Sequence, residues 1–206
     1  MTCLRTLYGT IDYTPQVPGK NSIGINNFLN ETNKRSDILL YLQTFRPEAA
    51  AAANEFPIIT IADAPDFQGN DSVEAAQDVN IEGNLDAETV LGFTWPTPMT
   101  AYSTGGSPPF TPDLATMTDT NEPYLTWLNY ALAQADLPLV LSTSYGDDEQ
   151  SVPLSYATRV CAGYAQLGAR GISVLFSSGD SGVGANGTCF SNTNTSKPMF
   201  VPELYA

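Results

Sequence analysis

Apolar runs alternate with helix-like patterns along the chain, and the runs are short and mostly continuous. Five of them predict β-strands, at residues 22–26, 57–62, 99–103, 137–143 and 171–177. Continuous apolar runs are typical of parallel strands that are covered on both faces of a sheet. The last two runs are rich in Val, Ile and Leu, so we expect them to lie at the centre of the sheet.

Between these runs lie segments whose apolar residues recur at helical spacing. They predict helices at residues 36–45, 122–134 and 154–167, each with an apolar side that can cover a sheet face. Residues 64–70 and 104–121 contain Pro and Gly and predict loops. Strands that alternate with helices indicate an α/β fold with a parallel sheet and crossover helices, and no internal repeat or linker divides it.

The composition of the 206-residue chain fits a packed globule, with 42% hydrophobic and 10% aromatic residues. The formal net charge is -14 and only 8 residues are Lys or Arg, which argues against a nucleic-acid partner because phosphate binding needs clustered positive charge. The acidity has two explanations that the composition leaves open. It keeps the chain soluble, or it suits work at low pH, where protonation relieves repulsion among carboxylates.

The sequence contains no histidine. A Ser-His-Asp triad, a Cys-His dyad and an imidazole metal site are therefore excluded within these residues. Any general base must be a carboxylate. A carboxylate with an ordinary pKa of about 4 is an effective base only in an acidic medium or when its pKa is raised.

Cysteines and glycosylation sequons favour a secretory route. Cys3, Cys161 and Cys189 are too far apart for a CxxC motif, which favours disulfide pairing in an oxidising compartment with one thiol left over. The N-x-S/T sequons begin at Asn30, Asn70, Asn186 and Asn194. No apolar run is long enough to span a membrane, and the first residues lack the apolar segment of a signal peptide. We expect a secreted or extracellular chain whose start has been cut, with an acidic, lysosome-like compartment as the alternative.

A pair of acidic residues opens a further helical pattern at Ile81. Glu82 and Asp86 are four residues apart, so in a helix both lie on one face and can share a proton, which raises the pKa of one of them. Such a pair can serve as a carboxylate base. The alternative is that acidic residues merely favour a helix N-terminus and face water.

A second motif follows the apolar run at residues 171–177. Gly179 and Gly182 flank Asp180 and Ser181 at the carboxyl end of a predicted strand, where ligand crevices form in open α/β sheets. We expect Asp180 to reach the same cleft as the acidic pair. The alternative is a solvated turn that Asp180 caps, and a lone Ser181 without a nearby base is more often structural than nucleophilic.

Four motifs follow one another in a characteristic order along the chain. They are Ile81-Glu82-x-x-Leu85-Asp86, Ser144-Tyr145-Gly146-Asp147-Asp148-Glu149, Ala169-Arg170-Gly171 and Ser177-Ser178-Gly179-Asp180-Ser181-Gly182. In this order and spacing they resemble the sedolisin family of serine-carboxyl peptidases, closest to its tripeptidyl-peptidase and fungal members. The similarity covers nearly the whole chain, from Cys3-Leu4-Arg5-x-Leu7-Tyr8 to Phe200-Val201-Pro202.

The resemblance implies a subtilisin-like parallel sheet with helices on both faces and a Ser-Glu-Asp catalytic set. Glu82 matches the general base, Asp86 matches the carboxyl that polarises it, and Asp180 matches the acid of the oxyanion site. An Asp that is protonated in acid can donate a hydrogen bond to a tetrahedral oxyanion. The resemblance also implies peptide or protein substrates and a disulfide between Cys3 and Cys161. The residues assigned to substrate binding are Ser144, Tyr145, Gly146, Ser178 and Gly179.

The chain departs from the family pattern at both ends. The family continues to a Gly-Thr-Ser nucleophile motif and an Asp-rich calcium site, and neither occurs before Ala206; the family's pro-segment is missing ahead of Met1. We therefore expect residues 1–206 to be the N-terminal part of a peptidase catalytic domain, with its sheet incomplete at the C-terminal side and without the calcium ligands. Two hypotheses follow: an acid-acting tripeptidyl-peptidase or endopeptidase that is inactive as this chain, or a non-catalytic fragment that at most binds peptides.

Overall fold

A parallel β-sheet of five strands forms the centre of the chain, in the order β2-β3-β1-β4-β6. The computed structural model describes residues 1–69, 79–112, 116–180 and 203–204. The strands are β1 (Ile23–Asn27), β2 (Ile58–Ile61), β3 (Met99–Thr104), β4 (Val140–Thr143), β5 (Asp147–Asp148), β6 (Ser173–Phe176) and β7 (Glu203–Leu204). The short strands β5 and β7 pair with each other, antiparallel, in a separate two-stranded sheet.

The helices connect the parallel strands. They are α1 (Thr2–Leu7), α2 (Arg35–Phe45), α3 (Ile81–Thr94), α4 (Tyr124–Ala133) and α5 (Leu154–Ala169). Three 3₁₀ segments span Pro18–Lys20, Pro47–Asn54 and Glu149–Ser151. The predicted α/β fold is confirmed, and each strand and helix predicted from the sequence has a counterpart within a few residues of its predicted bounds.

Side chains on the two faces of the sheet belong to two separate apolar cores. Ile25 and Ala101 face one core, which α2, the Pro47–Asn54 segment and α3 cover. Tyr102 and Leu141 face the other core, which α4 and α5 cover. Helices therefore lie on both faces, and the continuous apolar runs of the strands reflect burial from both sides.

The strand predicted at residues 171–177 does not lie at the centre of the described sheet, where it was expected. Its core, β6, lies at an edge of the five-stranded sheet among the described residues, and β1 lies at the centre. Val174 and Phe176 pack against the core that α4 and α5 cover, whereas Ser173 and Leu175 are exposed. The prediction that the sheet is incomplete at its C-terminal side stays a prediction, because residues 181–202 lie outside the described part of the chain.

The predicted disulfide between Cys3 and Cys161 is also wrong. Both cysteines are exposed and carry free thiols. The reason is topological: α1, which carries Cys3, packs against the end of α3, where the rings of Tyr8 and Phe93 meet edge-on at 6.1 Å between centroids. Cys161 lies in α5 on the opposite face of the sheet. Cys189 lies outside the described residues.

Candidate active site

The carboxyl ends of the parallel strands form one edge of the sheet, and a cleft of about 630 Å³ opens there. All four pairings within the five-stranded sheet are parallel, so the segments that leave β4 and β6 meet at this edge. The first helical turns of α3 form the facing wall. The lining residues are Glu82, Leu85, Asp86 and Thr89 of α3, Ser144, Tyr145 and Gly146 after β4, Ser177, Gly179 and Asp180 after β6, and Glu122 before α4.

Helix α3 places both predicted acids in this cleft. The helix begins at Ile81, so Glu82 and Asp86 stand one turn apart and both line the same wall. Leu85 and Thr89 complete a stripe at helical spacing, and Leu85 leaves 56% of its side chain exposed. The helix buries its opposite side, through Ala87 and Leu91, in the apolar core.

Asp86 is held by Ser144. The Ser144 hydroxyl donates a hydrogen bond of 2.7 Å to Asp86 Oδ1. The other oxygen, Oδ2, is buried and has no hydrogen-bond partner among the described residues. Burial raises the pKa of Asp86 from its ordinary 3.8 to about 6, and the neighbouring carboxyls of Glu82 and Glu31 add to the rise while the Ser144 hydroxyl opposes it. Asp86 therefore holds a proton in mild acid, where an ordinary aspartate has lost it.

Glu82 shares this environment. Burial raises its pKa, the negative charge of Asp180 adds to the rise, and the nearby Ser144 hydroxyl opposes it. The two neighbouring acids and the hydroxyl thus act on each other directly. A carboxylate with a raised pKa is a stronger base than an exposed one, and this is the property that base catalysis without histidine requires.

Asp180 reaches the cleft from the loop after β6. The Ser177 amide still bonds to the Thr143 carbonyl at 3.0 Å, and Gly179 then turns the chain with φ at +73°, a conformation that favours glycine. Asp180 was predicted at the end of a central strand and in the same cleft as the acidic pair. The strand lies at the edge of the described sheet instead, yet Asp180 lines the cleft. Ser181 lies outside the described residues.

The residues predicted to bind substrate divide into two groups. Ser144, Tyr145, Gly146 and Gly179 line the cleft, but Ser178 does not. The Tyr145 ring is buried edge-on against Phe28 at 5.4 Å between centroids. Burial raises the pKa of its hydroxyl well above the ordinary value, so this phenol stays neutral. Tyr145 therefore anchors the segment after β4 through its packing on Phe28.

Sequence reasoning missed Glu122, Leu85, Thr89 and Ser177 as cleft residues. The spacing of Leu85 and Thr89 from Glu82 could have indicated their side of the helix. Glu122 is 3% exposed and lies beside Asp147, which is also 3% exposed. Burial raises the pKa of Asp147, and the adjacent Glu122 opposes the rise. A second pair of buried carboxyls therefore adjoins the cleft. Its two members are far apart in the sequence, so no local motif indicates the pair.

The described ranges 1–69, 79–112 and 116–180 contain no group of three or more Cys, Asp and Glu side chains placed to hold a metal ion. Over the same ranges, no helix is long and apolar enough to cross a membrane.

The chain has an α/β fold with clustered carboxylic acids at the carboxyl edge of its sheet, and proteins similar to it include fungal tripeptidyl-peptidases. The chain is 40% identical, over 98% of its length, to the tripeptidyl-peptidase sed4 of Aspergillus fumigatus. It is 39% identical over 97% of its length to the tripeptidyl-peptidase SED2 of Arthroderma otae. A probable tripeptidyl-peptidase SED3 of Arthroderma benhamiae is 39% identical over 99% of the chain.

The chain spans about a third of the length of these curated relatives, at 33% of each. No protein-family model matches the chain. The similarity therefore concerns one segment of each relative. The peptidase activity in the relatives' names belongs to the whole proteins.

Proposed function

We propose that this chain supplies the acidic half of a sedolisin-type serine-carboxyl peptidase site, which acts on peptides in an acidic medium. The observation that carries the proposal is the convergence of Glu82, Asp86 and Asp180 on one cleft, with Ser144 bonded to Asp86. The similarity to fungal tripeptidyl-peptidases over nearly the whole chain supports the same reaction class. We extend the tripeptidyl specificity in their names to this chain as part of the proposal, with endopeptidase action as its alternative.

Each acid has a role that its surroundings suit. Glu82 takes the proton of an attacking serine hydroxyl, because its raised pKa makes it a stronger base than an exposed glutamate. Asp86 is protonated in mild acid and shares its proton with Glu82, as two carboxyls at close range do. Asp180, which lines the same cleft, supplies the oxyanion site for the tetrahedral intermediate.

The attacking serine is proposed to come from outside these 206 residues, which contain no Gly-Thr-Ser sequence. We therefore expect this chain by itself to have no peptidase activity. A second candidate function is peptide binding without cleavage. It rests on the cleft itself, in which the exposed Leu85 side chain and the Gly146 and Gly179 backbone offer apolar and hydrogen-bonding contacts to a peptide.

We further propose a secreted or extracellular location, with an acidic, lysosome-like compartment as the alternative. The supporting observation is that Asn30, the first residue of one sequon, is exposed in a turn with φ at +66°. A glycan can be attached only to an accessible asparagine. Asn70, Asn186 and Asn194 lie outside the described residues.

A chimera tests the proposed function. The segment of the Aspergillus fumigatus relative that aligns with this chain is replaced by the 206 residues, and cleavage of an Ala-Ala-Phe reporter is measured between pH 3 and pH 7. We expect acid-dependent turnover, and Glu82→Gln should reduce kcat by about 10²-fold or more because it removes the general base.

The matched control is Glu88→Gln, in the same helix. Burial raises the pKa of Glu88 to about 7, with Asp37 as its charged neighbour, but Glu88 does not line the cleft. The control should leave turnover within about threefold, since only effects on helix stability remain. A chimera that is folded but inactive, or one in which both substitutions have equal effects, would contradict the assignment. The unfused chain is assayed in parallel, and turnover that Glu82→Gln abolishes would show that it contains its own nucleophile.

A further inference from the structure

A buried loop at residues 31–34 lies against the first turn of α3, next to the proposed acidic pair. The loop follows β1, and Thr32 and Asn33 are completely buried. Asn33 uses both ends of its amide. Its Oδ1 accepts a hydrogen bond of 2.6 Å from Asn27 Nδ2, and its Nδ2 donates to the Gly83 carbonyl.

Two further hydrogen bonds join the loop to the same helical turn. The Gly83 amide donates to Glu31 Oε2 at 3.1 Å, and the Lys34 amide donates to Asn84 Oδ1 at 2.8 Å. The first N–H groups of a helix have no acceptor within the helix, so Glu31 takes a bond that the helix cannot make for itself. Gly83 is thus bonded through both its amide and its carbonyl.

The loop and the helix also leave no space between them. A Cβ atom placed on Gly83 would lie 2.4 Å from the Thr32 carbonyl oxygen, which is far inside van der Waals contact. Backbone therefore packs directly on backbone here, as only glycine permits. A small shift of the loop must shift the helical turn with it.

We infer that Asn33 is a positioning residue for the acidic pair, through its bond to the Gly83 carbonyl. Gly83 directly follows Glu82 and lies three residues before Asp86, so fixing its carbonyl fixes the first turn on which both carboxyls stand. Asn27, on the strand β1, anchors Asn33 to the centre of the sheet. The consequence is a fixed distance between Asp86 and Ser144, which stands at the end of the neighbouring strand β4. The importance of this for catalysis rests on the proposed function.

A double-substitution experiment tests the positioning role without any catalytic activity. The pKa of Asp86 is measured by NMR titration of its carboxyl carbon in the chain and in Ser144→Ala. Removing the hydroxyl should raise this pKa by about 1, because a hydrogen bond to the charged form is lost. In an Asn33→Ser background, we expect Ser144→Ala to have no effect on the pKa of Asp86. Serine at position 33 is too short to reach Gly83, so the hydrogen bond between Ser144 and Asp86 is already broken.

Asn121→Ser is the matched control. Asn121 is 2% exposed and its Nδ2 donates to the Ser151 carbonyl at 3.1 Å, so the substitution removes a buried amide of the same kind without touching α3. In this background the effect of Ser144→Ala on the pKa of Asp86 should remain. An equal effect in the Asn33→Ser background would overturn the inference. Because the readout is a pKa, this result is independent of the chimera assay, and either can fail alone.

Amide exchange in the unsubstituted chain decides the case if Asn33→Ser does not fold. The Gly83 amide should exchange at least about tenfold more slowly than the neighbouring Glu82 amide of the same first turn, because the loop holds it. Equal exchange rates would mean that the loop does not fix the turn, and the inference would be wrong. Where Asn33→Ser folds, it should bring the two rates together.

Discussion

Replacing Asp86 by Asn should stabilise the fold at neutral pH, although Asp86 lies in the proposed site. Burial raises the pKa of Asp86 from 3.8 to about 6 in the folded chain. The folded state therefore binds this proton more tightly than the unfolded state. The stabilisation that results is fully present below about pH 4 and is lost as the pH rises through about 6.

The magnitude follows from the difference between the two pKa values. A difference of about two pKa units corresponds to about 3 kcal/mol, at 1.36 kcal/mol for each unit. The side chain is only partly buried, and solvent screening reduces the figure, so we expect about 1 to 2 kcal/mol. Asparagine keeps an oxygen that can accept the hydrogen bond from Ser144, but it cannot become charged.

Urea unfolding at pH 4, 6 and 8 measures the effect, with the fluorescence of the fully buried Trp127 as the probe. Asp86→Asn should raise the free energy of unfolding by about 1 to 2 kcal/mol at pH 8 and by less than about 0.5 kcal/mol at pH 4. Asp136→Asn, at an exposed position, is the matched control, and its effect on the free energy of unfolding is subtracted at each pH. An equal gain at both pH values, or no gain at pH 8, would refute the argument from charge burial.

Two other predictions concern features outside the acidic pair. Asp147→Asn should also stabilise the chain at pH 8 more than at pH 4, because burial raises the pKa of Asp147; urea unfolding at the two pH values tests this, and a pH-independent effect would contradict it. A thiol reagent should label Cys3 and Cys161 in the native chain without a reductant, because both thiols are exposed and free. Mass spectrometry counts the labels, and protection of both thiols until a reductant is added would restore the disulfide hypothesis.

The elements of this fold were predictable because each has a local cause. The apolar runs predicted five strands, and helical spacing predicted α2, α3, α4 and α5. The helix α1 and the Pro47–Asn54 segment were missed. The second of these is an alanine-rich stretch with Pro in its first turn, and the high helix propensity of alanine could have indicated it.

Strand order was less predictable, because apolar content reports burial and not position. The run at residues 171–177 is rich in apolar residues, yet β6 lies at the edge of the described sheet. The central strand β1 is less apolar, with Gly24, Asn26 and Asn27 among its five residues. Asn26 bonds to Thr143 on β4 and Asn27 bonds to Asn33, so the buried polar side chains of this central strand are satisfied by contacts that only the tertiary fold creates.

The acidic pair was predictable as a pair, since four-residue spacing in a helix has one geometric meaning. Its surroundings were not. Ser144 lies 58 residues from Asp86, and Asn33 lies 50 residues from Gly83. These contacts depend on which strands become neighbours, and the sequence pattern does not determine that. The family resemblance indicated Ser144 as a substrate-binding residue, whereas in the structure its hydroxyl is bonded to Asp86.

Burial of the acidic pair connects the stability of this chain to the chemistry proposed for it. The burial that raises the pKa of Glu82 and Asp86 makes Glu82 a better base and keeps a proton on Asp86 in mild acid. The same burial opposes ionisation, so the fold loses stability as the pH rises through about 6. Burial also favours the neutral form of histidine, but for histidine this lowers the pKa instead of raising it. A site that depends on buried carboxyls is therefore most stable in the acidic range in which the pair holds a shared proton, and acid dependence of activity and of stability should have a common origin in this chain.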